Sequence, residues 1–110
     1  MQVVFVAGPY RADSEQGVHR NIQRARGVAE VLWARGYVAL CPHMNTAFMG
    51  GISPDDHFLA GGLELLRRCD AVVVCEGWQR SCGTRAEIAR AQELGLPVYY
   101  WPELPPVEEE

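Results

Sequence analysis

Residues 81–87, Ser-Cys-Gly-Thr-Arg-Ala-Glu, combine a candidate anion site with a candidate nucleophile. They are expected to open a helix, whose free N–H groups and dipole attract an anion, and the hydroxyls of Ser81 and Thr84 add hydrogen-bond donors. Gly83 would let a ligand come close to the backbone. Glu87 follows one turn later, where an ionised carboxylate facing the same crevice can attack the anomeric carbon of a sugar. We expect the nearby helix N-terminus to favour that ionised form.

The same segment also has a purely structural interpretation. Thr84-x-x-Glu87 fits a capping box, in which the glutamate reaches back to the first N–H groups of the helix. Both interpretations stay open at the level of sequence. The segment is not a Walker loop, and no GxGxxG follows a strand, so a P-loop and a dinucleotide site are both unsupported.

All ten basic residues of this 110-residue chain are arginines. The absence of lysine excludes a P-loop lysine, a lysine Schiff base and a kinase-type lysine. Codon bias is the ordinary explanation, and binding of phosphate or carboxylate by some guanidinium groups is the functional one. Arg11 is the arginine that we expect to act as such a fork. Most of the others lie on predicted helices and are interpreted as solvated surface.

The net charge of −4 comes entirely from four glutamates within the last eight residues, so residues 1–102 are neutral overall. A neutral domain lacks the excess positive charge that nucleic-acid binding requires, so we expect no nucleic-acid partner. The N-terminal apolar run is too short for a signal peptide or a membrane span, so we expect no membrane partner either. The four cysteines form no CxxC pair, which fits a reducing cytoplasm rather than a disulfide or zinc framework. We expect no cofactor and no metal, because His43, His57 and Asp55-Asp56 match no common ligand spacing.

Apolar runs alternate with helical patterns along residues 1–101. The runs at 3–7, 37–40, 71–75 and 98–101 are predicted strands, and helices are predicted at about 18–35, 54–68 and 84–94. Residues 43–53 look like a loop, and Ser53 looks like the N-cap of the second helix. This alternation predicts an α/β fold with three layers and a parallel sheet of four to five strands, flavodoxin- or Rossmann-like, in the order 2-1-3-4. Residues 102–110 are an acidic Pro/Glu tail that need not be ordered.

In such a sheet, ligands bind beyond the carboxyl ends of the strands. The candidate catalytic residues there are Glu87, Tyr10 and His43. Candidate substrate-binding residues follow the same three strands: Gly8, Pro9, Arg11, Asn45, Gly77, Trp78, Ser81, Gly83 and Thr84. Tyr10 and Trp78 could stack on a flat ring, although large aromatic residues equally often belong to a core. Asp70 precedes the third strand and is interpreted as structural.

Three motifs together resemble the nucleoside 2-deoxyribosyltransferase superfamily, in particular its short, largely uncharacterised branch. They are Val4-Phe5-Val6-Ala7-Gly8-Pro9-Tyr10, Cys69-Asp70-Ala71-Val72-Val73-Val74, and Gly77-Trp78-x-x-Ser81-x-Gly83-Thr84-x-x-Glu87. The resemblance implies cleavage of the N-glycosidic bond of a deoxynucleoside or a nucleoside 5′-monophosphate. It implies that Glu87 attacks C1′ to give a covalent glycosyl-enzyme, that Ser81 and Gly83 hold the 5′ end, and that the loop from Gly8 to Tyr10 lines the pocket for sugar and base. It also implies a homodimer or larger homo-oligomer.

One position departs from this pattern. Relatives commonly carry an aspartate where this chain has Gly62, so protonation of the leaving base needs another donor. His43 and Tyr10 are the first candidates, ahead of Asp55-Asp56. The departure also motivates an alternative, in which the same crevice is a non-catalytic nucleotide-binding module.

Overall fold

The sheet predicted from the alternation is present, with four parallel strands in the order β2-β1-β3-β4. The computed structural model describes residues 1–47 and 49–107. The strands are β1 (Val3–Ala7), β2 (Val38–Leu40), β3 (Ala71–Val74) and β4 (Val98–Tyr100), and the helices are α1 (Glu15–Ala34), α2 (Pro42–Asn45), α3 (Asp55–Arg67) and α4 (Cys82–Glu93), with a 3₁₀ turn at Trp78–Arg80. The α/β class and the strand order 2-1-3-4 are therefore confirmed.

The central strands β1 and β3 are buried on both faces, which explains their unbroken runs of apolar residues. Alternate side chains of β1 point to opposite faces. Val4 and Val6 belong to a cluster with α1 residues such as Leu32, here called the α1-side cluster. Phe5 belongs to a second cluster, with Ile88 of α4 among its members. A helical layer therefore covers each face, as a three-layer fold requires.

Helix α1 follows the apolar spacing closely. Ser14 is its N-cap and accepts a hydrogen bond from the Gly17 N–H at 3.0 Å. Its buried residues are Ile22, Ala25, Val28, Ala29 and Leu32, which form one stripe against the sheet. Gly36 has φ +93°, so a glycine suits the turn that leads into β2. Because α1 is long and strongly periodic, its existence and its buried face could be predicted.

Two local predictions in the middle of the chain are wrong. The loop predicted at residues 43–53 begins instead with the one-turn helix α2, and Pro42 is the first residue of this helix, where a missing N–H costs nothing. Pro54, rather than Ser53, is the N-cap of α3, and no side chain caps this helix. The Pro54 carbonyl instead accepts from the N–H of His57 at 3.0 Å, as an N-cap carbonyl does.

The segment after β4 packs on the body of the molecule, contrary to the expectation of a tail that need not be ordered. The Tyr37 hydroxyl donates to the Pro105 carbonyl at 2.7 Å, and Leu104 packs against the α1-side cluster. The three acidic residues Glu108–Glu110 lie outside the described residues. Within the described ranges, no helix is both long enough and apolar enough to span a bilayer.

Asp70 has the structural role expected of it. Its carboxylate accepts a hydrogen bond from the Val3 N–H at 2.8 Å, while its own N–H donates to the Val3 carbonyl. This reciprocal pair fixes the starts of β1 and β3 side by side, and so sets the register with Val4 opposite Ala71. The same register brings the carboxyl ends of both strands to one edge of the sheet.

Candidate active site

A cleft of about 1030 Å³ lies at this edge. Its walls are the loops that follow β1, β2 and β3, together with the starts of α3 and α4. The sheet order reverses between β1 and β3, and such switch points are where ligands bind in open α/β sheets. A cleft of this volume has the size of an ordinary small-molecule site.

Most of the predicted site residues line this cleft. They are Gly8, Pro9, Tyr10, Arg11, His43, Gly77, Ser81, Gly83, Thr84 and Glu87. Asn45 does not line it; this residue ends α2 and lines a separate shallow groove beside Ala29. Trp78 does not line it either, because its ring packs against Tyr100 of β4 with 5.2 Å between ring centroids. Placing these two residues in the cleft was wrong, because each is turned aside by a short helical segment that the sequence analysis did not predict.

The start of α4 settles which residue caps this helix. Ser81 is the N-cap, and its Oγ accepts hydrogen bonds from the Thr84 N–H at 3.2 Å and from the Thr84 hydroxyl at 2.8 Å. The capping box is therefore wrong, because it needs Thr84 as the cap. Glu87 lies in the second turn of α4 and lines the cleft, so its carboxyl group is not used in capping.

The first turn of α4 presents backbone to the cleft. The N–H groups of Cys82 and Gly83 precede the first residue that can bond within the helix, so they have no intrahelical partner. A Cβ placed on Gly83 would meet nothing within 4 Å. The Ser81 hydroxyl accepts two hydrogen bonds but still has its own proton to donate. The arrangement suits an anion, as the sequence predicts.

Burial raises the pKa of Glu87 to about 8 from its ordinary value of 4.5. At neutral pH its carboxyl group therefore holds its proton in this structure, contrary to the expectation that the helix N-terminus keeps it ionised. The physical reason is position, because the helix dipole acts mainly within the first turn and Glu87 lies in the second. A carboxyl group with such a perturbed pKa in a cleft is a mark of functional sites.

His43 has a supporting position in the wall of the cleft. It is buried, and its Nε2 lies 2.8 Å from the Pro9 carbonyl oxygen, which can only accept, so Nε2 carries a proton. Burial lowers the pKa of His43, which favours the neutral ring. The ring also makes an edge contact with Tyr10, with 5.3 Å between centroids. His43 thus holds the loop that carries Pro9 and Tyr10, and its Nε2 proton is already committed.

Two further contacts shape the loop after β1. A Cβ on Gly8 would lie 2.8 Å from the Cβ of Cys75, so only glycine allows the loop to pass this close to the end of β3. Arg11, the expected anion fork, instead forms an ion pair with Asp55 at 2.6 Å. Both side chains are exposed, so this pair contributes little to stability, at most about 1 kcal/mol.

Several lining residues were not predicted from sequence. They are Arg24 of α1, Arg80 of the 3₁₀ turn and Asp13. Asp55, Asp56 and Gly62 of α3 also line the cleft, and the sequence had already linked these positions to protonation of the leaving base. Arg80 could have been predicted to line the cleft, because it directly precedes Ser81 in the sequence. Arg24 could not, because it lies in the middle of α1 and nothing in the sequence shows how far its side chain extends. Among the described residues, no group of three or more His, Cys, Asp or Glu side chains is placed to hold a metal ion.

Several solved structures share this fold, among them two 2-deoxyribosyltransferases. A 2-deoxyribosyltransferase from Leishmania mexicana superposes with a TM-score of 0.62 at 20% sequence identity, over 91% of this chain and 63% of its own. A 2-deoxyribosyltransferase from the psychrotolerant bacterium Bacillus psychrosaccharolyticus gives a TM-score of 0.64 at 20% identity, over 94% of this chain and 77% of its own. The chain thus spans less than two thirds of the Leishmania protein. At this identity the likeness shows the fold, and the predicted resemblance is confirmed at that level.

The molecule is therefore an α/β protein with the fold of the 2-deoxyribosyltransferases. Residues 2–101 match the model of the family described as Domain of unknown function (DUF7768), and the chain belongs to that family. No protein with curated annotation matches it.

Proposed function

We propose that the protein cleaves or exchanges the N-glycosidic bond of a (deoxy)nucleoside or a nucleoside 5′-monophosphate, with Glu87 as the nucleophile. The observation that carries this proposal is the place of Glu87. Its carboxyl group is free of the capping role, lines the cleft, and lies one turn from the N–H groups that suit an anion. The fold shared with 2-deoxyribosyltransferases gives independent support.

The reaction has two steps. The Glu87 carboxylate forms a bond to C1′ while the bond from C1′ to the base breaks, and the base leaves with the bonding electron pair and takes up a proton. Water or a second base then attacks C1′ of the glycosyl-enzyme and releases the carboxylate, so the configuration at C1′ is retained. Because burial disfavours the ionised form, Glu87 must lose its proton before the first step.

Tyr10 is the better candidate for the proton donor to the leaving base. It lines the cleft, and no hydrogen-bond partner for its hydroxyl is present among the described residues. His43 fits a positioning role, because its Nε2–H is bound to the Pro9 carbonyl. From the sequence alone, His43 and Tyr10 were equal first candidates for the proton donor; we now place Tyr10 ahead of His43.

The alternative is a binding module without chemistry, and two observations favour it. No acid stands at Gly62, and the pKa of Glu87 near 8 leaves little carboxylate at neutral pH. A panel of deoxynucleosides and their 5′-monophosphates, followed by chromatography of free base, separates the two functions. Binding without release of any base supports the module.

Replacement of Glu87 by glutamine is the direct test of the enzyme. The E87Q variant keeps the size of the side chain but removes the nucleophile, so base release should fall by at least about 10³-fold while ligand binding persists. Glu93→Gln is the matched control, because Glu93 lies on the same helix and pairs with Arg90 on the surface. Base release that persists in E87Q would remove Glu87 from the reaction.

The expectation of a homodimer or larger assembly stays a prediction. Light scattering coupled to size-exclusion chromatography measures the mass of the particle in solution and checks it. A monomer at the concentrations used for activity would contradict it.

A further inference from the structure

Three arginines line the cleft, and their partners differ. Arg11 is held by Asp55. Neither Arg24 nor Arg80 forms an ion pair with any carboxylate within the described ranges, although both line the cleft. Among the residues that the structure describes, these two cleft guanidinium groups therefore have no carboxylate partner. An unpaired pair of cations inside a cleft calls for an anionic ligand.

The two arginines converge on one segment of the wall. Arg24 lies in the middle of α1, and because helical side chains tilt towards the N-terminus, its guanidinium reaches back towards the carboxyl edge of the sheet. A Cβ on Gly77 would lie 3.6 Å from Nη1 of Arg24, which fixes the end of that side chain beside Gly77. Gly77 begins the 3₁₀ turn that ends at Arg80. The guanidinium group of Arg24 thus lies beside the first residue of a turn whose last residue, Arg80, also lines the cleft.

This segment leads directly to Ser81 and the start of α4. The free N–H groups of the first turn and the two guanidinium groups therefore belong to one side of the cleft. Three acidic residues of the cleft lie on other segments, with Asp13 after β1 and Asp55 and Asp56 at the start of α3. The fourth, Glu87, lies on α4 itself, but burial raises its pKa to about 8, so it carries little charge at neutral pH. Within the cleft, the charge is divided between a cationic wall and an acidic one.

We propose that Arg24 and Arg80 form a phosphate clamp that selects a nucleotide carrying a phosphomonoester over the corresponding nucleoside. The inference rests on the proposed function and narrows its substrate class. Two guanidinium charges match the dianion of a phosphomonoester, and the planar fork of arginine fits phosphate oxygens in bidentate geometry. The Ser81 hydroxyl, whose oxygen already accepts two hydrogen bonds from Thr84, can add one donated hydrogen bond as a secondary contact.

The clamp also bears on the chemistry at Glu87. A phosphate held near a carboxyl group would by itself oppose ionisation of that group, because like charges repel. Two neutralising cations remove that opposition. A nucleotide therefore enters the cleft without a further penalty on the nucleophile.

The experiment measures dissociation constants by calorimetry in the E87Q background, where no turnover occurs. The probes are the four common deoxynucleosides and their 5′-monophosphates. The double substitution R24Q/R80Q should raise the Kd of the best monophosphate by about 10-fold or more. The reason is that the loss of one charge-assisted hydrogen bond by itself weakens binding by roughly that factor. Binding of the matching nucleoside should stay the same, and the preference for the monophosphate should shrink as salt rises.

Arg26→Gln is the matched control, because Arg26 lies on the same helix as Arg24 and pairs with Glu30 outside the cleft. An equal loss for nucleoside and monophosphate, unchanged binding in the double variant, or an equal loss in R26Q would overturn the clamp. So would the absence of monophosphate binding to the parent protein.

A base-release assay keeps this inference separate from the proposed function. Release of base from nucleosides and monophosphates alike, unaffected by R24Q/R80Q, would retain the enzyme and reject the clamp. Arginine-dependent binding of the monophosphate without base release would retain the clamp and reject the enzyme.

Discussion

Glu87 has two demands on it that conflict at neutral pH. As a nucleophile it must be ionised, yet burial in the cleft wall holds its pKa at about 8. Among the described residues, none of the three arginines that line the cleft forms an ion pair with Glu87, and the helix dipole acts on the first turn rather than the second. Ionisation of Glu87 therefore needs either a bound ligand that lowers its pKa or a pH above neutrality.

The pH dependence of activity follows from this. For a nucleoside substrate, kcat/KM reports ionisations of the free protein and should rise with pH towards a plateau above about pH 8. The measurement is initial rates of base release from about pH 6 to about pH 9. A flat profile across that range would mean that ionisation of Glu87 does not limit the reaction.

Stability should depend on the same proton. The folded protein keeps Glu87 protonated up to about pH 8, while the unfolded chain loses that proton near 4.5. The folded state thus binds more protons in this window, so the free energy of unfolding falls as pH rises, by at most about 1.4 kcal/mol per unit. Thermal or urea unfolding at about pH 5 and about pH 8 should show a smaller fall for E87Q than for the parent protein. Equal falls would contradict the assignment.

The catalytic candidate and its anion site could be predicted from residue type and spacing, but their protonation could not. Ser81, Gly83 and Glu87 stand out because their order along one helix start is read directly from the sequence. The pKa of Glu87 depends on what covers it, and the commitment of the His43 proton to Pro9 depends on a contact between residues 34 apart in sequence. Such properties come from tertiary structure.

At the scale of elements, α3 forms one wall of the cleft and presents glycine where an acid would help. Gly61 and Gly62 both lie in α3, and a Cβ on either would meet nothing within 4 Å. Only Gly62 lines the cleft. There is thus space for an acidic side chain at position 62, and this position already lies in the wall of the cleft.

Gly62→Asp should therefore accelerate base release by supplying a proton donor, by between about 10-fold and 10²-fold at the optimum of the variant's own pH profile, where the new carboxyl group is protonated and Glu87 is ionised to the greatest joint extent. Gly61→Asp is the control, because it adds the same charge to the same helix outside the cleft. Chromatography of free base measures both. Equal rates in the two variants would show that no donor is lacking at this position.

Elements were predictable in proportion to their length and periodicity. The stripe from Ile22 to Leu32 predicts α1, and the buried runs predict β1 and β3. The single turn α2 carries no periodic signal, and most of its residues were predicted as part of a loop. That one turn decides where His43 and Asn45 lie, which is why one of them lines the cleft and the other does not.

At the scale of the whole molecule, the two faces of the sheet are closed by different means. α3 and α4 lie on the face with Phe5 and Ile88, whereas α1 and the segment after β4 complete the other. The packing of this segment could not be predicted from composition, because the prolines and glutamates around Leu104 are typical of a disordered tail. The chain therefore has more core at its C-terminal end than its sequence indicates.

Leu104→Ala tests whether that closure stabilises the fold. Leu104 is partly buried against the α1-side cluster, so truncation should lower the free energy of unfolding by about 1–2 kcal/mol, below the range for a fully buried leucine. Val107→Ala is the control, because Val107 is 61% exposed and its truncation should leave the free energy unchanged. Urea unfolding followed by tryptophan fluorescence measures both variants. Since Leu104 does not line the cleft, ligand binding below the unfolding transition should be the same in the parent protein and both variants. Equal free energies of unfolding for the two variants would mean that the segment after β4 does not stabilise the fold.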